Sequence, residues 1–368
     1  MKTGLSALFY IKNNRKRVFT LTLCIALFSA TLYITDFLFG TSEKTFRHLL
    51  VEQSEQLQIV IPNSRPEYED FVTQLADEAD CFKKETYVKD AVPVQVTNSY
   101  LKCILGQYSV NVYLAPREYM QRFCDWNGIK EYEGTLPEKA GELLVGENLA
   151  RNNNFTIGEK INDYTITAIG TCDNYTCFGV PTGKEQSYGI LIYSDGKDVD
   201  FKKVYQSFAG EVEPFRVLDY VTNKEEFEGE ILETFDFSSD IITAAGLVIL
   251  SICLVVLYVL YIRERKEEWC LYQSIGYSNL DIYLCALREM LCVFLSGICI
   301  AAGIAALVCT VLDWTTVKPL GLLADYIMPE TIFHIFCVQV GIFGLCNLPV
   351  FAAIHKIKTV DAIESDEW

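Results

Sequence analysis

Four stretches of this 368-residue chain, Val18–Phe39, Ile241–Ile262, Met290–Leu312 and Ile332–Ile354, run without any Asp, Glu, Lys or Arg except Asp36. As α-helices each would be about 33 Å long, matching a bilayer hydrocarbon core of about 30 Å. Runs of this kind exclude a soluble globular chain. The 51% hydrophobic content, with only 22 Gly and 10 Pro, excludes collagen-like and wholly disordered chains as well. The expected fold class is a membrane protein of four transmembrane α-helices, with one large α+β extracytoplasmic domain between the first and second spans.

Basic residues set the expected orientation, because Lys and Arg collect in short cytoplasmic loops. Lys2, Lys12, Arg15, Lys16 and Arg17 precede the first run, Arg263, Arg265 and Lys266 follow the second, and Lys356 and Lys358 follow the fourth. Segment 313–331 instead holds Asp313, Asp325 and Glu330 against one lysine. The expected order is a cytoplasmic N-terminal helix 1–17, a first span 18–40, an extracytoplasmic domain with stalk helices 41–238 and a second span 239–262. A cytoplasmic coupling region 263–285, a third span 286–312, an external loop 313–331, a fourth span 332–355 and a cytoplasmic tail 356–368 complete it. The first run has a competing reading as a cleaved signal peptide, but it exceeds a usual apolar core and ends in no Ala-x-Ala site.

Segment 41–238 is long enough for its own core. Its 34 acids against 19 basic residues carry nearly all of the chain's net charge of −17. Such a surface favours cationic partners, or simply keeps the domain soluble. Alternation and turn residues predict strands at 57–61, 92–96, 108–114, 142–145, 164–170, 188–193 and 215–221. Helices are predicted at 66–80, 116–126, 147–152 and 199–208, with helical connections at both ends, 41–58 and 224–235. Cys172 and Cys177 flank a short turn-like stretch and are a candidate disulfide in an oxidising compartment.

No catalytic constellation is legible. The three histidines, His48, His334 and His355, are scattered along the chain, which argues against a His-dependent triad or metal site. Gly179-Val-Pro-Thr-Gly-Lys184-Glu185 has one residue too few between its glycines for a phosphate loop, and Glu where magnesium ligation needs Ser or Thr. The expectation is a non-enzymatic chain with no cofactor or metal of its own and no nucleic-acid partner.

The informative stretch follows the second run. A charged helix from Arg263 carries Glu267, Trp269, Leu271, Tyr272 and Ile275 and stops at Gly276, and Ser278 with Asp281 forms a capping box for the next helix. A short helix exposing Trp269, Leu271, Tyr272 and Ile275 suits docking of a cytoplasmic partner; lying on membrane lipid is the alternative. On the third run Gly297, Ala301, Gly303 and Ala305 offer small surfaces for helix packing, within the chain or between chains. Glu289 stands beside Arg288, with which it would form a snorkelling pair at the interface.

The pattern Arg263-x-Arg-Lys-Glu-Glu-x3-Leu271-x3-Ile275-Gly276-x4-Asp281-Ile282-x6-Glu289 resembles the signature between the second and third spans of FtsX/MacB-like ABC transporter permeases. Leu348-Pro349-x4-Ile354-x6-Val360-Asp361-Ala362-Ile363-Glu364 looks like that family's closing motif. Gly141–Ala150, Ile157–Ile161 and Tyr164–Gly170 resemble its MacB-type core domain, while Glu267-Glu268-Trp269-Cys270 departs from the usual Arg-Glu-Ile-Gly-like stretch and 65–135 match nothing recognisable. The resemblance implies pairing with a second permease chain and binding of a cytoplasmic ABC ATPase dimer, which supplies the ATP and magnesium. Arg263, Glu267, Trp269, Leu271, Tyr272, Ile275 and Gly276 would then be the ATPase-coupling residues, and Glu289 a family carboxylate.

Three functions are compatible with these residues. The first is export or removal of a peptide or other amphipathic substrate, with cationic peptides suggested by the acidic domain. The second keeps the architecture but transmits motion to an external hydrolase or sensor without transport. The third, a membrane-anchored receptor with no ATPase, leaves the further spans and the capped helix unexplained.

Overall fold

A computed structural model of the chain describes residues 14–62, 71–104, 106–172, 174–184, 187–210 and 215–356. The N-terminal basic residues Lys2 and Lys12, the start of the helix expected at 66–80, Glu185 and the Val360–Glu364 motif lie outside the described residues. The chain divides into two compact units: Met1–Phe37 with Phe237–Val311 and Tyr326–Trp368, and Leu38–Asp236 with Leu312–Asp325.

The first unit is helical. Its elements are α1 (Arg15–Arg47, of which 15–37 belong here), α7 (Glu233–Ser274, from 237), α8 (Asn279–Leu312) and α9 (Pro329–Lys356). Among the described residues, three helices are long and apolar enough to cross a membrane: Val18–Glu55, Asn279–Val317 and Pro329–Lys356. The run Ile241–Ile262 lies inside α7, a single helix of 42 residues that continues past Arg263 without a break. The expected separate short helix at 263–275 is therefore the last turns of α7.

Small residues let these helices approach. Ala26 and Ala30 of α1 meet Ala301 and Ala305 of α8 in a buried seam. A Cβ placed on Gly297 would lie 2.8 Å from Ile25 Cγ2 and 3.3 Å from the Thr22 carbonyl, so only glycine admits α1 at this distance. Gly297, Ala301 and Ala305 are thus spent on packing within the chain. Gly303 is not: a Cβ there would meet nothing within 4 Å. Among polar groups, Gln339 Nε2 donates to Ser29 Oγ at 2.5 Å, tying α9 to α1.

Among the described residues, the second unit is a mixed α+β domain around a ten-stranded sheet. Its strands are β1 (Leu57–Pro62), β2 (Val88–Cys103), β3 (Gly106–Leu114), β4 (Tyr132–Gly134), β5 (Glu142–Gly146), β6 (Lys160–Ile161), β7 (Tyr164–Gly170), β8 (Cys177–Gly179), β9 (Ser187–Ser194) and β10 (Phe215–Leu218). They lie in the order β10-β1-β9-β2-β3-β8-β5-β7-β4, with β6 on β7. Among the described residues, only β3–β8 and β5–β7 pair in parallel. The expected strand 215–221 stops at Leu218 because Asp219 caps a new helix, α6 (Tyr220–Glu226), accepting from Thr222 N at 2.7 Å.

Alternation sends side chains to separate cores. Ile190 and Ile192 of β9 and Val60 of β1 bury against Leu75, Ala79 and Phe82 of α2 (Phe71–Phe82) and Phe201 and Tyr205 of α5 (Phe201–Ala209). Leu191 and Ile59, pointing the other way, pack with Phe123 of α3 (Met120–Trp126). Glu78 of α2 is buried here, where Gln74 Nε2 donates to it at 3.2 Å and Tyr205 faces it. Burial holds its carboxyl above the usual carboxylate range. A group whose folded pKa is raised contributes stability that is lost as pH rises through that pKa, so ionised Glu78 opposes folding at neutral pH. Glu78→Gln is expected to raise the melting temperature at pH 7.5, with the gain shrinking as pH falls toward 5. A constant offset across that range would contradict it.

Residues 313–325, expected as part of an external loop, belong with Leu312 to this unit. The Tyr175 hydroxyl donates to the Gly321 carbonyl at 2.6 Å, Asn152 Nδ2 donates to the Leu320 carbonyl at 2.8 Å, and Leu323 N donates to Thr45 Oγ1 at 3.1 Å. Gly321 has φ +59° and sits where a Cβ would be 2.6 Å from the Asn148 carbonyl, so the loop can dock only with glycine there. Asn148 and Asn152 lie on α4 (Glu147–Asn153).

The candidate disulfide is not made in this structure: Cys172 and Cys177 are not bonded to each other, and the Cys172 thiol donates to the Asn174 carbonyl at 3.6 Å. Cys177 is a strand residue in β8, paired with Val112 and Val145, and buries on their face. Cys172 packs against the opposite core with Phe178, close to Cys124, whose thiol burial and Asp125 push up to about 11. Burial also pushes the Cys177 thiol up. A water-soluble maleimide is expected to leave Cys177 unmodified in the folded protein, and a non-reducing digest to yield no peptide joining Cys172 to Cys177. Recovery of that peptide would overturn the assignment.

Candidate functional site

The end of α7 is where the candidate coupling residues fall. Its residues at spacings of three and four divide into two faces. Tyr258, Tyr261, Arg265 and Trp269 are buried, packed with Ile282, Ala286, Met290 and Val350 or adjoining them. Arg263, Glu267, Leu271 and Ile275 form an exposed ridge at i, i+4, i+8 and i+12, with Leu271 60% and Ile275 63% exposed.

Trp269 is a correction. Expected on the docking face, it is 1% exposed, with its ring 6.0 Å from that of Tyr261. The reason is its phase: it sits four residues after Arg265 and eight after Tyr261, on the inward face of a helix that never breaks at the membrane boundary. Tyr272 is half-buried against the same core and not freely displayed.

What holds this face inward is a buried charge. Glu289 of α8 is 2% exposed; Arg265 donates to it from Nη2 at 2.7 Å, the Tyr261 hydroxyl at 2.8 Å and the Cys285 thiol at 3.6 Å. Arg265 also pairs with Glu268. Arg288, the partner the sequence suggested, is exposed on another side of the helix. Arg265 and Tyr261 are the site residues that sequence reasoning passed over. The available signal was the 261-265-269 spacing, which places a tyrosine, an arginine and a tryptophan in one line.

The corner between the two helices is built from local signals. Gly276 has φ +94°. Tyr277 N donates to the Tyr272 carbonyl at 3.1 Å and Gly276 N to the Gln273 carbonyl at 2.9 Å, the bond pair of a Schellman cap. The hydrophobic contact such caps favour is made by the Tyr272 and Tyr277 rings, 6.0 Å apart. Asp281 N donates to Ser278 Oγ and Ser278 N to Asp281 Oδ2, both at 3.2 Å, completing the capping box. Gln273 Nε2 donates to Asn279 Oδ1 at 2.7 Å across the turn. Leu280, 62% exposed, extends the apolar surface of Leu271 and Ile275 beyond the corner. The result is a rigid bend presenting three aliphatic side chains beside Arg263 and Glu267.

The same stretch of chain carries a family likeness. Residues 241–362 match the family model of the FtsX-like permease C-terminal domain. This third of the chain is similar to the FtsX-like permease C-terminal domain. It comprises most of α7, the capped corner, α8, α9 and the buried Arg265–Glu289 pair. The chain is that of a membrane protein. No curated protein sequence matches it. Among solved structures, the periplasmic region of MacB from Actinobacillus actinomycetemcomitans aligns at 14% identity and a TM-score of 0.28, covering 48% of this chain and 94% of that one. The extracellular domain of the noncanonic ABC-type transporter YknZ from Gram-positive bacteria aligns at 10% identity and a TM-score of 0.24, covering 44% and 100%. These two likenesses decide nothing about the fold at such scores.

A second feature of the first unit is an apolar cavity of about 420 Å3 between α1, α8 and α9. Ala301, Ala305 and Phe336 line it, with Ser29, Tyr33 and Gln339 as its polar fringe.

Proposed function

We propose that this chain is the non-catalytic permease subunit of an ABC transporter complex, and that the ridge Arg263-Glu267-Leu271-Ile275 with Gly276 is where a cytoplasmic ATPase dimer docks. In this reading four helices span the membrane, both termini are cytoplasmic and residues 41–238 are extracytoplasmic. ATP and magnesium are bound by the partner, and a second permease chain, identical or homologous, completes the assembly. The observation that carries the reading is an aliphatic surface held outward by a double-capped corner in an FtsX-like domain. Three exposed aliphatic side chains on a rigid bend are a surface that a protein partner would cover. The face of α8 bearing Gly303, open within the chain, suits approach of the second permease chain.

The substrate class is a peptide or other amphipathic molecule. An apolar membrane-level cavity with a polar fringe and a net-acidic domain support it, and the acidity favours cationic members. Transmission of motion to an external enzyme remains the alternative, separated by whether loss of the chain changes peptide resistance or wall turnover.

The test is purification of the tagged full chain from its native membrane, with mass spectrometry of what travels with it and an ATPase assay. A stoichiometric ATPase is expected, lost on Leu271→Asp with the melting temperature unchanged. A chain that purifies alone and supports no hydrolysis when the ATPase is added would sink the proposal.

A further inference from the structure

The second unit contains a cavity of about 110 Å3 that the permease reading does not use. Its wall includes Tyr108, Asn111 and Tyr113 of β3, Arg216 of β10, Gln53 of the helical turns 48–55, and Thr176 just before β8. Strands β3 and β10 are separated in the sheet by β2, β9 and β1. They reach one cavity because a sheet of this width twists and curls, and turns 48–55 close the hollow.

Two of the polar groups here lack partners: Gln53 Nε2 and the hydroxyl of Thr176, a residue only 4% exposed. Leaving a donor unpaired in a buried place is costly, so the site is built to receive an acceptor. Arg216 lines this hollow together with Tyr108 and Tyr113, which brings a guanidinium charge to it. One cation and two free donors match an anion. The surrounding domain is net acidic, so a single negative charge is favoured over two. A water needs about 10–15 Å3 of such space, so the cavity has room for a small organic molecule.

We propose that this cavity binds a small carboxylate, of the size of an amino acid or a dipeptide, whose oxygens accept from Gln53 Nε2, Thr176 Oγ1 and Arg216. Binding here is independent of ATPase docking. The full chain in detergent micelles is titrated calorimetrically with acetate, L-alanine and L-alanyl-L-alanine, each against its amide, and with inorganic phosphate. At least one acid is expected to bind ten or more times tighter than its amide and than phosphate. Arg216→Gln, at an exposed position, and the near-isosteric Thr176→Val are each expected to weaken that acid about tenfold while the melting temperature stays unchanged. Equal binding of acid and amide, preference for phosphate, or no binding of any acid would overturn the proposal and leave a cavity filled by water. So would an affinity that ignores both substitutions.

Discussion

Glu289→Ala is expected to cost about 3–5 kcal/mol, because removing one partner of a buried pair strands the other charge. Arg265 would keep the exposed Glu268 but lose the carboxylate that faces it from α8 at 2.7 Å, and the Tyr261 hydroxyl would lose its acceptor. The double variant Arg265→Met/Glu289→Leu should recover most of that loss, since replacing a whole buried pair by apolar groups of similar volume is often neutral. Thermal unfolding of the full chain in detergent reads both. A single variant that melts with the parent, or a double variant worse than the sum of its singles, would show that the pair is not what joins α7 to α8.

Trp269→Ala is expected to be nearly as damaging, about 3–5 kcal/mol, the usual cost of truncating a buried tryptophan. Its side chain fills the space between Tyr261 and the α8 and α9 core. The contrast with Leu271→Asp is the informative part. If Trp269 supports the corner from inside, its alanine variant loses stability and ATPase association together, whereas Leu271→Asp loses association alone. A Trp269→Ala chain with parental melting behaviour and no bound ATPase would return Trp269 to the docking face.

Several parts of the candidate site were legible because they rest on near neighbours. The Gly276 cap and the Ser278–Asp281 box involve residues no more than five apart, and their bonds are made as the residue types require. The exposure of Leu271 and Ile275 followed from the same stretch. Trp269 did not, because a helix ending at Gly276 gives no phase until something on the other side is known. Here α8 supplied it, through Glu289, 24 residues after Arg265. The thiols failed for a related reason: proximity along the chain suggested a link that strand alternation forbids, β8 sending Cys177 to one core while Cys172 packs on the other.

By itself the sequence determined the apolar helices, the capped corner and most strands of the second unit, since length, period and caps are properties of a few consecutive residues. The tertiary structure alone decided which charge answers Glu289 and that residues 312–325 close onto Tyr175 and Asn152. It also decided that the three-residue strands β4 and β8 find places in the sheet, and that strands with three others between them wall one polar cavity. All of these depend on contacts between residues distant in the chain, whose energies exist only once the sheet has curled and the helices have packed.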